Sequence, residues 1–178
     1  MGPCIGCFCD SSQRLNRKLF SLFCLAFFTV GVGFLLHELA HKLASQHYGC
    51  VAEFRAFDTY LYLAILMSFF GFVFAAPGAV FITGPVGVRR NGIISAAGPI
   101  TNILLALVFF SVWFLGAEGW LMQLSHYGFY INSYLALFNM LPFWNFDGAK
   151  IFPWSKFAYF SIVIVAAILM FMQNFMAL

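Results

Sequence analysis

Five stretches of this chain contain no Asp, Glu, Lys or Arg: residues 19–36, 59–88, 93–117, 119–146 and 157–178. A helix that crosses the hydrocarbon core of a bilayer needs about 20 mostly apolar residues, and each run is close to that length or longer. Backbone groups in lipid must hydrogen-bond within their own segment, so spanning elements of this length are helices. The runs lack the short alternating pattern of a transmembrane β-barrel. Composition closes the case against a soluble globule. Only 8% of the 178 residues are charged and 63% are hydrophobic, against about 25% charged in an ordinary soluble domain. The chain reads as an integral, multi-pass membrane protein embedded in a lipid bilayer. The net charge of +3 is too small to argue for nucleic acid, and the basic residues at run boundaries read as topology signals.

Residues 1–18 read as a flexible tail, and 19–178 as a single membrane-embedded domain. The tail holds Cys4, Cys7 and Cys9 in a C-x-x-C-x-C arrangement. That is one thiolate short of a closed structural zinc site. A plain tail, lipidation, and metal or redox chemistry all remain open for it. The apolar run after Lys18 leads directly into polar chemistry without a small-residue cleavage site, so it reads as a retained span rather than a leader.

That polar chemistry is H-E-L-A-H at 37–41. Two histidines four apart project from one helix face, one turn from each other. Both can then reach a single zinc ion at about 2.0–2.1 Å. Glu38 stands beside them, placed to take a proton from a water polarised by the metal. A polar helix end that snorkels to the interface, with Lys42 behind it, is the rival reading. His47 and His126 read as interfacial histidines. A catalytic zinc takes three protein ligands and keeps a fourth position open. Asp10, Glu53, Asp58, Glu118 and Asp147 are candidates for the third, and Asp147 is alternatively an Asp-Gly turn residue that caps a short helix.

With AAGPITN at 96–102 and NMLPFWNFDG at 139–148, the HELAH segment completes three motifs in the order seen in the site-2 protease family of intramembrane zinc metalloproteases. The chain resembles a compact member without a PDZ domain, over a core of about residues 20–151. The resemblance implies that His37, His41 and Asp147 hold one Zn²⁺ per chain and that Glu38 is the general base. It implies that Asn139 stabilises the oxyanion or positions substrate. It also implies that the helix carrying Gly98 and Asn102 packs against the metal helix. Asn102 is taken as substrate-binding, and with Asn139 and Asn145 as a candidate lining group of a wet channel.

The implied ligand set constrains topology. If residues 59–88 crossed the bilayer fully, Asp147 and His37 would emerge on opposite faces, about 30 Å apart. The positive-inside count favours that crossing, with seven basic residues on one side and two on the other. Pro77 and Gly78 favour a return instead, because they break a helix and permit reversal. The expected fold is therefore an all-α polytopic membrane protein with about four to five transmembrane helices and a re-entrant helix/β segment near residues 50–90. An edge strand near 50–57 or 78–84 could hold an unwound substrate by strand addition.

The expected activity is hydrolysis of a peptide bond in or near the transmembrane segment of a membrane protein. The expected location is a prokaryotic cell membrane, with the active site towards the cytoplasm. A proteolytically silent relative, or a membrane metal-binding or transport protein, is the alternative. A haem bundle is disfavoured, since two histidines one turn apart cannot sit on opposite faces of one haem.

Overall fold

The computed structural model describes residues 5–56, 62, 78–83 and 87–176, with side chains described for 15–50, 62 and 87–174. Helix α1 (Ile5–Ala26) runs through a π-helical turn (Phe27–Gly31) into α2 (Val32–His47). Two strands follow, β1 (Val51–Ala56) and β2 (Gly78–Thr83). Four helices complete the chain: α3 (Val88–Phe114), α4 (Gly119–Asn139), the short α5 (Asp147–Trp154) and α6 (Lys156–Met176). Among the described residues, three helical stretches are long and apolar enough to cross a membrane: Leu15–His47, Val88–Phe114 and Lys156–Asn174. The protein is a helical membrane protein.

Helix α2 shows how the sequence is read inside out in lipid. Gly33, His37, His41 and Ser45 recur every four residues and form its buried face. Leu35, Leu39 and Leu43, at the same period, point outward and are exposed. In water the leucines would be buried, but against lipid they cost nothing outside and the polar groups must find protein partners. The π turn upstream holds one residue more than an α turn, which rotates α2 relative to α1. Its Thr29 is buried and donates to Leu25 O at 2.7 Å.

Helix α3 is the hub, packing against α2, α4 and α5. Its buried positions are mostly small: Gly92, Ser95, Ala96, Gly98 and Ala106. Small residues let helix backbones approach closely where no hydrophobic drive operates between helices. The apolar core joins Ala96, Ile103 and Ala106 of α3 to Phe129 and Ala136 of α4 and to Tyr159, Ile162 and Ala166 of α6. Tyr159 Oη donates to Met140 O at 2.8 Å, which pins α6 to the end of α4.

Close approach also joins α2 to α4. A methyl on Gly33 would lie 2.6 Å from Asn132 Oδ1, and Asn132 is fully buried with its Nδ2 donating to Gly128 O. Gly33→Ala is expected to overpack this seam and destabilise the protein by about 1–3 kcal/mol. A lowered melting temperature in detergent is the readout.

Three expectations meet the described residues here. Helix α1 runs across residue 18, the boundary given to the tail. Helix α4, from a run expected to be long enough to cross, is not one of the three apolar stretches; Gln123, His126 and Asn132 are among its most polar residues. The run 59–88 lies largely outside the described residues, but its flanks are informative. Strands β1 and β2 pair antiparallel, with Ala56 opposite Gly78 and Val51 opposite Thr83. Ala56 and Gly78, the two ends of the intervening segment, thus lie side by side.

Candidate metal centre

Three side chains from two distant parts of the chain converge. His37 and His41 come from the buried face of α2, and Asp147 is the first residue of α5. His37 Nε2 lies 3.0 Å from His41 Nε2 and 3.2 Å from Asp147 Oδ2, and His41 Nε2 lies 3.1 Å from that same oxygen. The edges of this triangle are close to the roughly 3.3 Å separating ligands of a tetrahedral zinc with bonds near 2.0–2.1 Å. All three residues are buried.

Proton counting favours a cation at the centre. The Ile94 carbonyl of α3 lies 2.9 Å from His41 Nδ1, and a carbonyl only accepts, so the neutral His41 ring carries its proton there. Its Nε2 is then a lone pair aimed at a carboxylate oxygen 3.1 Å away. Two acceptors facing each other in a buried site repel unless a positive charge joins them, either a second proton on His41, which then donates to Asp147, or a metal ion bound by both. His37, His41 and Asp147 are placed to bind a metal.

Asp147 does not cap its helix. Phe146 occupies the N-cap position and makes no side-chain cap hydrogen bond, while the Asp147 carboxylate turns towards the imidazoles. Burial opposes its ionisation, but the charge of His41 and hydrogen bonds from both histidines outweigh this and hold the carboxyl below its ordinary range. Gly148 makes the placement possible, since a Cβ there would collide with the backbone carbonyl of Met140. The last turn of α4 therefore lies directly against the start of α5.

Gly98 of α3 faces the triangle from the other side. A Cβ on Gly98 would overlap His41 Nε2 and His37 Nε2 together. A methyl there would crowd both nitrogens that a metal must approach. Sequence reading assigned Gly98 only to helix packing, and nothing in its residue type marks it as a neighbour of the metal.

The chain is 42% identical over 139 residues to a protein of Methanocaldococcus jannaschii named "putative zinc metalloprotease", an overlap of 76% of this chain and 73% of the relative. The chain belongs to that zinc metalloprotease family. No family model matches it, and no solved structure does. The family name and the His-His-Asp donor set agree on the cofactor, which is zinc.

The remaining expected site residues of this metalloprotease are distributed unevenly. Glu38 follows His37 on α2, half-buried and near enough to His37, His41, Asp147 and Lys150 to feel their charges. Asn102 does not line an open path. It is fully buried, with its Nδ2 3.1 Å from His37 Nδ1, the ring nitrogen facing away from the donor triangle. Asn139 ends α4 and donates from Nδ2 to Leu135 O at 2.9 Å, one turn back on its own helix. Sequence reasoning missed Ile94, because a backbone carbonyl leaves no mark in residue type.

Proposed function

We propose that this protein is an intramembrane zinc endopeptidase of the site-2 protease type, cutting a peptide bond within or near the membrane span of another protein. The observation that carries the reading is the position of the donor triangle. His37 and His41 lie inside Leu15–His47, a stretch long and apolar enough to cross a bilayer, and Glu38 lies between them. Held by His37, His41 and Asp147, zinc would supply Lewis acidity, the effect that lowers the pKa of a bound water from 15.7 towards about 7. Glu38 accepts the proton released and delivers it to the leaving amine. Asn139 uses one amide hydrogen on Leu135 O, and its second N–H is the donor offered to the substrate carbonyl as charge develops there.

The antiparallel pair supports a re-entrant segment between residues 56 and 78, which keeps His37 and Asp147 at one membrane face. The substrate is a transmembrane segment, unwound locally so that its peptide bond is exposed, and the protein acts from a prokaryotic cell membrane with its site towards the cytoplasm. The test is cleavage of a single-span substrate reconstituted with the zinc-loaded protein in liposomes, with the cut mapped by mass spectrometry. The proposal predicts a cut within or at the edge of the apolar span. A cut confined to soluble segments, or none while zinc is held, would overturn it.

A further inference from the structure

Each histidine of the donor triangle has one ring nitrogen inside it and one behind it, and the partner behind decides which nitrogen carries the proton. For His41 that partner is the Ile94 carbonyl, which leaves no choice. For His37 it is the Asn102 carboxamide, which can either donate or accept. Asn102 has no accessible surface, and its Oδ1 has no hydrogen-bond partner while Nδ2 faces the ring. This orientation matches a His37 with its proton on Nε2, aimed into the triangle at Asp147 Oδ2. A proton there occupies the lone pair that a metal needs. The two ends of a carboxamide are close to equal in shape, so a half-turn of the amide brings Oδ1 to His37 Nδ1 without moving the helix.

We propose that Asn102 sets the tautomer of His37: in the zinc-loaded protein its Oδ1 accepts a hydrogen bond from His37 Nδ1–H, leaving Nε2 as a lone pair for the metal. Asn102 lies four residues after Gly98 on α3, on the same buried helix face. One face of α3 thereby gives the metal room at Gly98 and fixes the rear of a ligand one turn later. Metal-bound histidines commonly hold their second nitrogen on such a partner, and losing it weakens metal binding about 10–100-fold. Asn102 is a positioning residue in this scheme and touches neither metal nor substrate.

The inference rests on the metal-centre reading, and the experiment separates the two. Full-length wild type, Asn102→Leu and Asn102→Asp are compared in detergent for zinc affinity, by competition with a chelating indicator. The ring-proton positions of ¹⁵N-histidine-labelled wild type are read by NMR with and without zinc. Asn102→Leu is expected to weaken zinc about 10–100-fold. Asn102→Asp keeps an acceptor and is expected to stay within about threefold of wild type. Loaded wild type is expected to show the His37 proton on Nδ1. Unchanged affinity in Asn102→Leu, or equal loss in both variants, would overturn the role of Asn102 while leaving zinc binding intact. Should Asn102→Leu fail to fold, the wild-type spectrum decides alone, because a loaded protein without a proton on His37 Nδ1 also overturns it. Wild type that takes up no zinc would sink the metal centre itself, whereas zinc uptake without proteolysis would sink only the protease assignment.

Discussion

Gly98→Ala is expected to abolish zinc binding while leaving the helical fold in place. The substituted methyl would overlap the Nε2 atoms of both ligand histidines, and those nitrogens are the atoms a metal must approach. Neither ring can retreat easily: His41 is tied to the Ile94 carbonyl at 2.9 Å and His37 to Asn102 at 3.1 Å. The loss should exceed the roughly 10–100-fold seen when a partner behind a ligand is removed, because the methyl competes with the ion itself. Metal content after dialysis, measured by atomic emission, is the readout, with circular dichroism reporting the helices. Gly128→Ala is the control. Its methyl would press on the Phe109 ring at 2.5–2.6 Å, a comparable insult between α3 and α4, involving neither ligand histidine nor Asp147. That variant should lose stability, by about 1–3 kcal/mol for an overpacked contact, yet keep zinc. If both glycine variants lost zinc equally, helix displacement rather than occupation of the site would be the cause.

The contrast between Gly98 and His37 shows what a linear sequence carries. The i, i+4 spacing of His37 and His41 specifies their shared face wherever α2 is helical, so the pair was legible from five residues. Asp147 lies 106 residues beyond His41, and the spacing of the histidines says nothing about which acidic residue joins them. Its choice over Glu118 or Glu53 came from the resemblance of the NMLPFWNFDG segment and is now supported by a 3.1–3.2 Å approach. The groups that orient the site were harder to see. Ile94 acts through its backbone, Gly98 through the absence of a side chain, and Asn102 through contact with a ring rather than with solvent.

Charge counting is a weak guide to residues 59–88 for a related reason. It weighs only the boundaries of a run, and the boundary charges here favour a full crossing. The pairing of Ala56 with Gly78 and the approach of Asp147 to His37 are long-range constraints that no boundary count contains. Likewise residues 119–146 count as an apolar run because they lack formal charges. Among them, Asn132, Ser133 and Ser125 are uncharged but polar, and they are buried against protein. A run can be free of formal charge and still present a polar face to other helices.

Glu38→Gln is expected to retain zinc and lose proteolysis by about 10²–10⁴-fold, the usual contribution of a positioned general base. The substitution is nearly isosteric and Glu38 is not among the three converging donors, so the triangle has no reason to change. What changes is proton capacity. A carboxylate can take a proton and return it, whereas a carboxamide can do neither at neutral pH. Asp147→Ala gives the complementary result: removing one of three ligands should cost zinc first and activity as a consequence. Measuring both metal content and cleavage in the two variants therefore separates binding from chemistry. Zinc retained and activity lost in Glu38→Gln, with zinc lost in Asp147→Ala, is the pattern of a hydrolytic centre. A membrane metal-binding or transport protein built on the same histidines would share the Asp147 result but have no cleavage for Glu38 to control. Wild-type proteolysis surviving Glu38→Gln would move the base elsewhere, and Lys150, close enough to act electrostatically on Glu38, would be the next residue to substitute.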